Sequence, residues 1–223
     1  MRLLFLALAI LGASCARYPT SGGGGDSKRL VFTFTMAAEI NPNYVYIVAF
    51  NPSVEINPPV TGPIPVIAPP WGNGFVAGTA THFMKWDTFQ SPRYQIFAFQ
   101  NATLIEYFAI GIPINFVDVP AGGRQFRFEI DLSQIAGGTP PEDLKSLQLN
   151  ILTMNVVPQG SGGDKIWDAL GDSRLPSGVN EYIKIPLTGT GTYSNASFAN
   201  LEPSGDVIDP ALDIVDWQIE VRN

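Results

Sequence analysis

The chain carries one cysteine and one histidine in 223 residues. A single thiol, Cys15, can form no internal disulfide, and a single imidazole, His82, rules out a multi-histidine zinc or iron site. A Ser-His-Asp or Cys-His arrangement would have to use His82. It sits between Thr81 and Phe83 in an expected strand, and no G-x-S-x-G turn occurs, so it is read as structural. Charge is also scarce. Charged residues make up 15% of the chain, and the formal net charge is −7, which argues against nucleic acid and against electrostatic docking on anionic lipid. No apolar run reaches the roughly 18 residues a membrane-spanning helix needs. Heptads and convincing internal repeats are missing as well.

What is present starts at the N-terminus. Arg2 gives a basic start, Leu3 to Leu11 form a nine-residue apolar run, and the small residues Ala13 and Ser14 precede Cys15. Residues 1–14 read as an export signal, too short to span a bilayer. The stretch resembles bacterial lipoprotein signals, in which the cysteine is diacylated and becomes the new N-terminus. The leucine usual three places before that cysteine is replaced here by Gly12, with Leu11 one place further away. The resemblance implies lipidation of Cys15 and a membrane partner through the lipid. Two acyl chains suffice for stable attachment at about 0.8 kcal/mol per buried CH₂. Ala16 follows the cysteine, not the aspartate that retains enterobacterial lipoproteins at the inner membrane. The resemblance therefore implies placement at the outer membrane or cell surface. Residues 15–28 then form a flexible tether, with four consecutive glycines at Gly22 to Gly25.

Residues 29–223 are long enough for one sizeable core and read as strands separated by turn signals. Leu30 to Met36 and Gln125 to Asp131 alternate with period two. Tyr44 to Phe50 is apolar on both faces, which predicts a central strand. Thr79 to Trp86 and Tyr94 to Phe99 read as a hairpin. Leu104 to Ile110, Ile112 to Val119, Ser146 to Met154, Glu181 to Leu187 and Ala211 to Val221 complete the set, the last with Val215, Trp217, Ile219 and Val221 inward. The loop from Asn51 to Pro70 holds seven prolines, which forbid a continuous ladder and predict a functional segment or a packed cover. Leu132 to Ile135 and Pro141 to Lys145 read as short helical turns, and Ile166 to Leu170 as a short helical turn or loop. The expected fold is all-β: a two-sheet antiparallel β-sandwich, jelly-roll or immunoglobulin-like, of about ten strands, with a barrel as the alternative.

The sequence of pieces carries a second resemblance. VYIVAFNPS, the Gly/Pro loop ending in WGNGF, FRFEIDLSQI, LQLNILTMN followed by KIWDALGD, EYIKIPL and DIVDWQIEV resemble, in that order, the DOMON-like or family 9 carbohydrate-binding-module-like β-sandwiches. That resemblance implies a binding module, since members of the group bind sugars or haem. A haem would need His82 together with Met36 or Met154, because Met84 lies on the same strand face as His82.

Three sets of side chains could carry chemistry. Trp71, Phe75, Trp86 and Tyr94 lie near turns or strand ends, where exposed rings stack on sugar faces; buried, they are core. Asp206, Asp209, Asp213 and Asp216 form an oxygen-only set suited to calcium, with Asn51 and Asn57 as possible helpers, although no EF-hand loop occurs. Glu129 and Asp131, at i and i+2, are the only concrete pair for a carboxylate hydrolase, and also describe an ordinary solvated strand face. The expectation is a non-enzymatic, lipid-anchored surface module that binds a glycan or envelope component. A self-associating subunit of a surface layer or filament is the alternative, and a hydrolase comes third.

Overall fold

A computed structural model describes residues 28–156 and 164–223. The signal, Cys15 and nearly all of the tether lie outside the described residues. The described chain is an all-β sandwich. Its strands are β1 (Arg29–Met36), β2 (Val45–Ser53), β3 (Pro63–Pro65), β4 (Val76–Gly78), β5 (His82–Trp86), β6 (Tyr94–Phe99), β7 (Tyr107–Gly111), β8 (Asn115–Val117), β9 (Gln125–Asp131), β10 (Ser146–Met154), β11 (Trp167–Ala169), β12 (Ile183–Pro186), β13 (Gly191–Ser194) and β14 (Ile214–Arg222). One sheet has the order β13-β14-β1-β9-β8. The other runs β11-β10-β2-β5-β6-β7, with β12 also pairing β10, and β3-β4 form a separate ribbon. All pairings are antiparallel.

Ten of these strands coincide with the expected ones. The additional four, β3, β4, β11 and β13, are three or four residues long, too short for two-residue periodicity to register. Trp167–Ala169 corrects the expected helical turn at Ile166 to Leu170: it pairs with Leu152 to Met154 of β10. The turn at Leu132–Ile135 is present as a 3₁₀ segment, capped by Asp131 accepting from the Ser133 amide while the Gln134 side chain accepts from the Asp131 amide. Pro141–Asp143 is likewise a short 3₁₀ turn.

Alternation decides what faces inward. Phe32 and Phe34 of β1 stack on Phe128 and Phe126 of β9, with centroids 4.9 and 4.7 Å apart. These rings meet Tyr46, Val48 and Phe50 of β2 from the opposite sheet. The other face of β2, Ile47 and Ala49, enters a second core with Phe83, Leu152 and Phe75. β2 is thus buried on both sides, as its uninterrupted apolar run requires. The proline-rich loop forms part of the cover over this outer face. Asn51 to Ser53, expected in the loop, instead extend β2 against β10; beyond them the loop's ladder is limited to Pro63–Pro65 against Val76–Gly78, because proline cannot donate a backbone hydrogen bond.

Near its start, β14 departs from simple alternation. Thr35 pairs with Asp216 and Met36 with Ile214, which leaves Val215 in a bulge. Ile214 rather than Val215 therefore points into the core, correcting the expected inward set.

Candidate metal centre

Four carboxylates from three stretches of chain meet at the β11 edge of the larger sheet. Asp168 lies on β11, Glu202 and Asp206 lie in the loop after β13, and Asp213 immediately precedes β14. Asp168, Asp206 and Asp213 each place an oxygen within 4.8 Å of the others. Backbone amides hold the group in place. Asp168 accepts from the amides of Ala169 and Ile214 at 2.9 and 2.8 Å, and from Ser173 Oγ at 2.7 Å. The Ser173 amide donates to Asp206 at 2.8 Å. Gly171 donates to Glu202 Oε2 at 3.1 Å, and Gly205 donates to both oxygens of Asp213 at 3.0 Å. Gly171 and Gly205 have φ of +123° and +80°, conformations that glycine adopts freely and that aim these amides inward.

The electrostatics are lopsided. None of the four carboxylates forms an ion pair among the described residues. Arg174, a basic group within electrostatic reach, pairs with Asp172 instead, and the charges of Asp206 and Asp213 raise its pKa further. Two unit charges 4.8 Å apart repel by roughly 3.5 kcal/mol at an effective dielectric of about 20. Burial, reinforced by Asp206, pushes the Asp168 carboxyl well above its usual range. Burial together with the charges of Asp168 and Asp206 pushes Glu202 up to about 12. Asp206 is also raised, by burial and by Asp213 beside it. Glu202 is 1% exposed, and its Oε1, like Asp206 Oδ1, has no hydrogen-bond partner among the described residues.

Two of the four expected calcium ligands, Asp206 and Asp213, are brought together. The other two are not. Asp209 accepts from Tyr44 Oη and the Ala211 amide, shaping the turn before β14, and Asp216 is exposed on the outer face of β14. The helpers sit elsewhere: Asn51 donates to Gln148 at 2.7 Å inside the sheet, and Asn57 accepts from Lys184. Asp168 and Glu202 were missed. Each is an acid flanked by apolar residues, Trp167 and Ala169 for one, Leu201 and Pro203 for the other, and an acid in such a setting is a signal of burial.

The aromatic platform is also corrected. Trp86 is 3% exposed and Tyr94 is 0% exposed. They are register partners across the β5–β6 hairpin, and their shared face is the inter-sheet core. Tyr94 Oη donates to the Val117 carbonyl at 3.0 Å. Phe75 packs on Phe83 with centroids 5.1 Å apart in the outer core. Only Trp71 remains half-buried, with Lys165 Nζ 5.6 Å from its ring centre. Lys165 donates to the carbonyls of Val66 and Gly74, and burial lowers its pKa to about 8. Glu129 pairs with Arg29 at 3.5 Å while Asp131 caps the 3₁₀ turn. Both groups of the expected hydrolase pair thus have structural partners. His82 is buried, with Nδ1 2.8 Å from Thr81 Oγ1.

A different surface feature was not expected. β7 forms the margin of the larger sheet, and all five of its residues are exposed. Tyr107, Phe108 and Ile110 are 41%, 50% and 41% exposed, and Ile112 and Ile114 continue the apolar run toward β8, the margin of the smaller sheet. Most edge strands are blunted by charge or proline; here Tyr107–Gly111 has neither. No known protein family, curated protein or solved structure matches this chain.

Proposed function

We propose that this chain is a non-enzymatic, lipid-anchored interaction module of the cell surface that binds an envelope protein along the β7–β8 margin. The observation that carries this reading is the uncharged edge strand β7, exposed at every residue, with its adjoining isoleucines. An edge of this kind offers unpaired backbone groups for strand addition and apolar side chains for affinity. Export and the anchor at Cys15 enter from the signal-like N-terminus. Burial of Trp86, Tyr94 and Phe75 takes support from a sugar-stacking platform and moves the reading from glycan to protein.

The test is a photo-crosslinking residue placed at position 110 in the full chain on its own cells. A discrete adduct that disappears when Phe108→Lys is added supports the reading. No adduct, or retention on a polysaccharide panel that is lost with Trp71→Ala, overturns it in favour of glycan binding. An adduct of twice the chain's own mass, with concentration-dependent dimers in light scattering, would make the partner a second copy and the protein an assembling subunit. Incorporation of labelled fatty acid that is abolished by Cys15→Ser tests the anchor separately.

A further inference from the structure

We propose that Asp168, Asp206 and Asp213, backed by the buried Glu202, form a calcium site that fastens the loops 170–180 and 202–213 to β11 and β14. This inference is independent of the reading of the β7 margin. An ion about 2.4 Å from each ligand requires oxygens no more than about 4.8 Å apart, the spread found for Asp168, Asp206 and Asp213. The second observation is Glu202. Its side chain is enclosed and lies within electrostatic reach of all three aspartates, one oxygen is fixed by the Gly171 amide, and the other has no donor among the described residues. Asp206 Oδ1 is a second buried oxygen without a donor. Buried carboxylate oxygens are normally paired or bound to metal, and no cationic side chain among the described residues fills that role here.

The donor chemistry selects the ion. Every ligand is a carboxylate oxygen, which suits hard cations and not zinc or copper. The ligands come from segments with irregular backbone, so the cage matches the variable six- to eight-fold coordination of calcium better than the strict octahedron of magnesium. The oxygens are already oriented by backbone amides and Ser173, so a bound cation would find ligands in place. Asp206, half-exposed, provides the way in.

The test uses the purified full chain, stripped with chelator and titrated with calcium chloride by calorimetry. Terbium chloride is titrated in parallel, with emission sensitised through tryptophan. The expected result is one site with a Kd below about 1 mM for calcium, at least tenfold weaker for magnesium. Unfolding temperature should fall in chelator and recover with calcium. Glu202→Gln and Asp206→Asn should each weaken calcium by at least about tenfold, whereas Asp216→Asn, on the exposed face of β14, should leave it unchanged. Three results would overturn the site: no calcium heat with no terbium emission, magnesium bound as tightly as calcium, or terbium emission unchanged in both pocket variants. Circular dichroism of each variant confirms folding, and the wild-type titration decides the matter even if a variant does not fold.

Discussion

The acidic pocket at β11 and the apolar margin at β7 break the same rule in opposite directions. One places three carboxylates inside the protein with a fourth half-buried beside them, and the other leaves aromatic and branched aliphatic side chains in water. They also differ in how tightly the surrounding chain holds them. The pocket is fixed by five amide donors and a serine, from turns whose glycines have no alternative residue of equal ease. The margin is held by one neighbouring strand, and even there the β6–β7 register slips between Ile96 and Phe97. A feature so heavily supported belongs to the stability of the fold; one so lightly supported can be altered without cost to it.

Substitutions can sharpen that contrast. The largest effect is expected beside the pocket, at Asn150. This residue donates to the carbonyls of Pro63 and Glu181 and accepts from the Leu170 amide, all at 3.0 Å, with no exposure of its own. Asn150→Ala strands three buried groups and should lower unfolding free energy by about 3 kcal/mol, measured by urea titration. A loss under ~1 kcal/mol would mean the pocket wall is less rigid than its hydrogen bonds indicate.

Next comes a buried titrating group away from the pocket. Burial lowers the His82 pKa from 6.5 to about 4. The unfolded chain therefore binds a proton that the folded chain refuses, and stability falls as pH drops from about 6.5 towards 4. Between pH 7 and 5 this amounts to about 2 kcal/mol. His82→Gln should flatten that part of the pH profile, and an unchanged slope would assign it to other groups.

Smaller still is the support under the margin. Gln134 of the capping box donates to the Ile112 carbonyl at 2.7 Å, so the Asp131 cap steadies the β7–β8 connection. Asp131→Ala should cost about 1 kcal/mol, with any hydrolytic turnover on polysaccharide unaffected. The smallest effect is expected on the margin itself. Phe108→Lys should change stability by less than about 0.5 kcal/mol while reducing partner crosslinking. A large loss of stability there would erase the distinction between the two regions.

Much of the architecture was legible in the sequence because strand periodicity is a local signal. Phe126, Phe128 and Ile130 announced their face, and the run from Tyr44 to Phe50 announced a strand buried on both sides. β3, β4, β11 and β13, three or four residues long, escaped because pairing partners, not composition, make them strands. The site was half legible. Asp206 and Asp213 stand close together in the chain, but Asp168 reaches them only through the β10–β11 pairing, and Glu202, four residues before Asp206, is held in place by the Asn195 side chain, which bonds both its amide and its carbonyl. The aromatics misled for a related reason. A position near a strand end says nothing about which face a ring takes, and the register between Trp86 and Tyr94 points both inward.

The placement of β1 has a mechanical consequence. It is bonded along most of its length to β14 on one side and β9 on the other, antiparallel to both. A load applied to the chain at Lys28, with the opposite sheet held by a partner, does not peel a free edge one bond at a time. It runs along the axis of a strand clamped on both flanks, so the hydrogen bonds of two ladders share the tension together. Among the described residues, the first strand to feel such a pull is one of the hardest in the sheet to draw out.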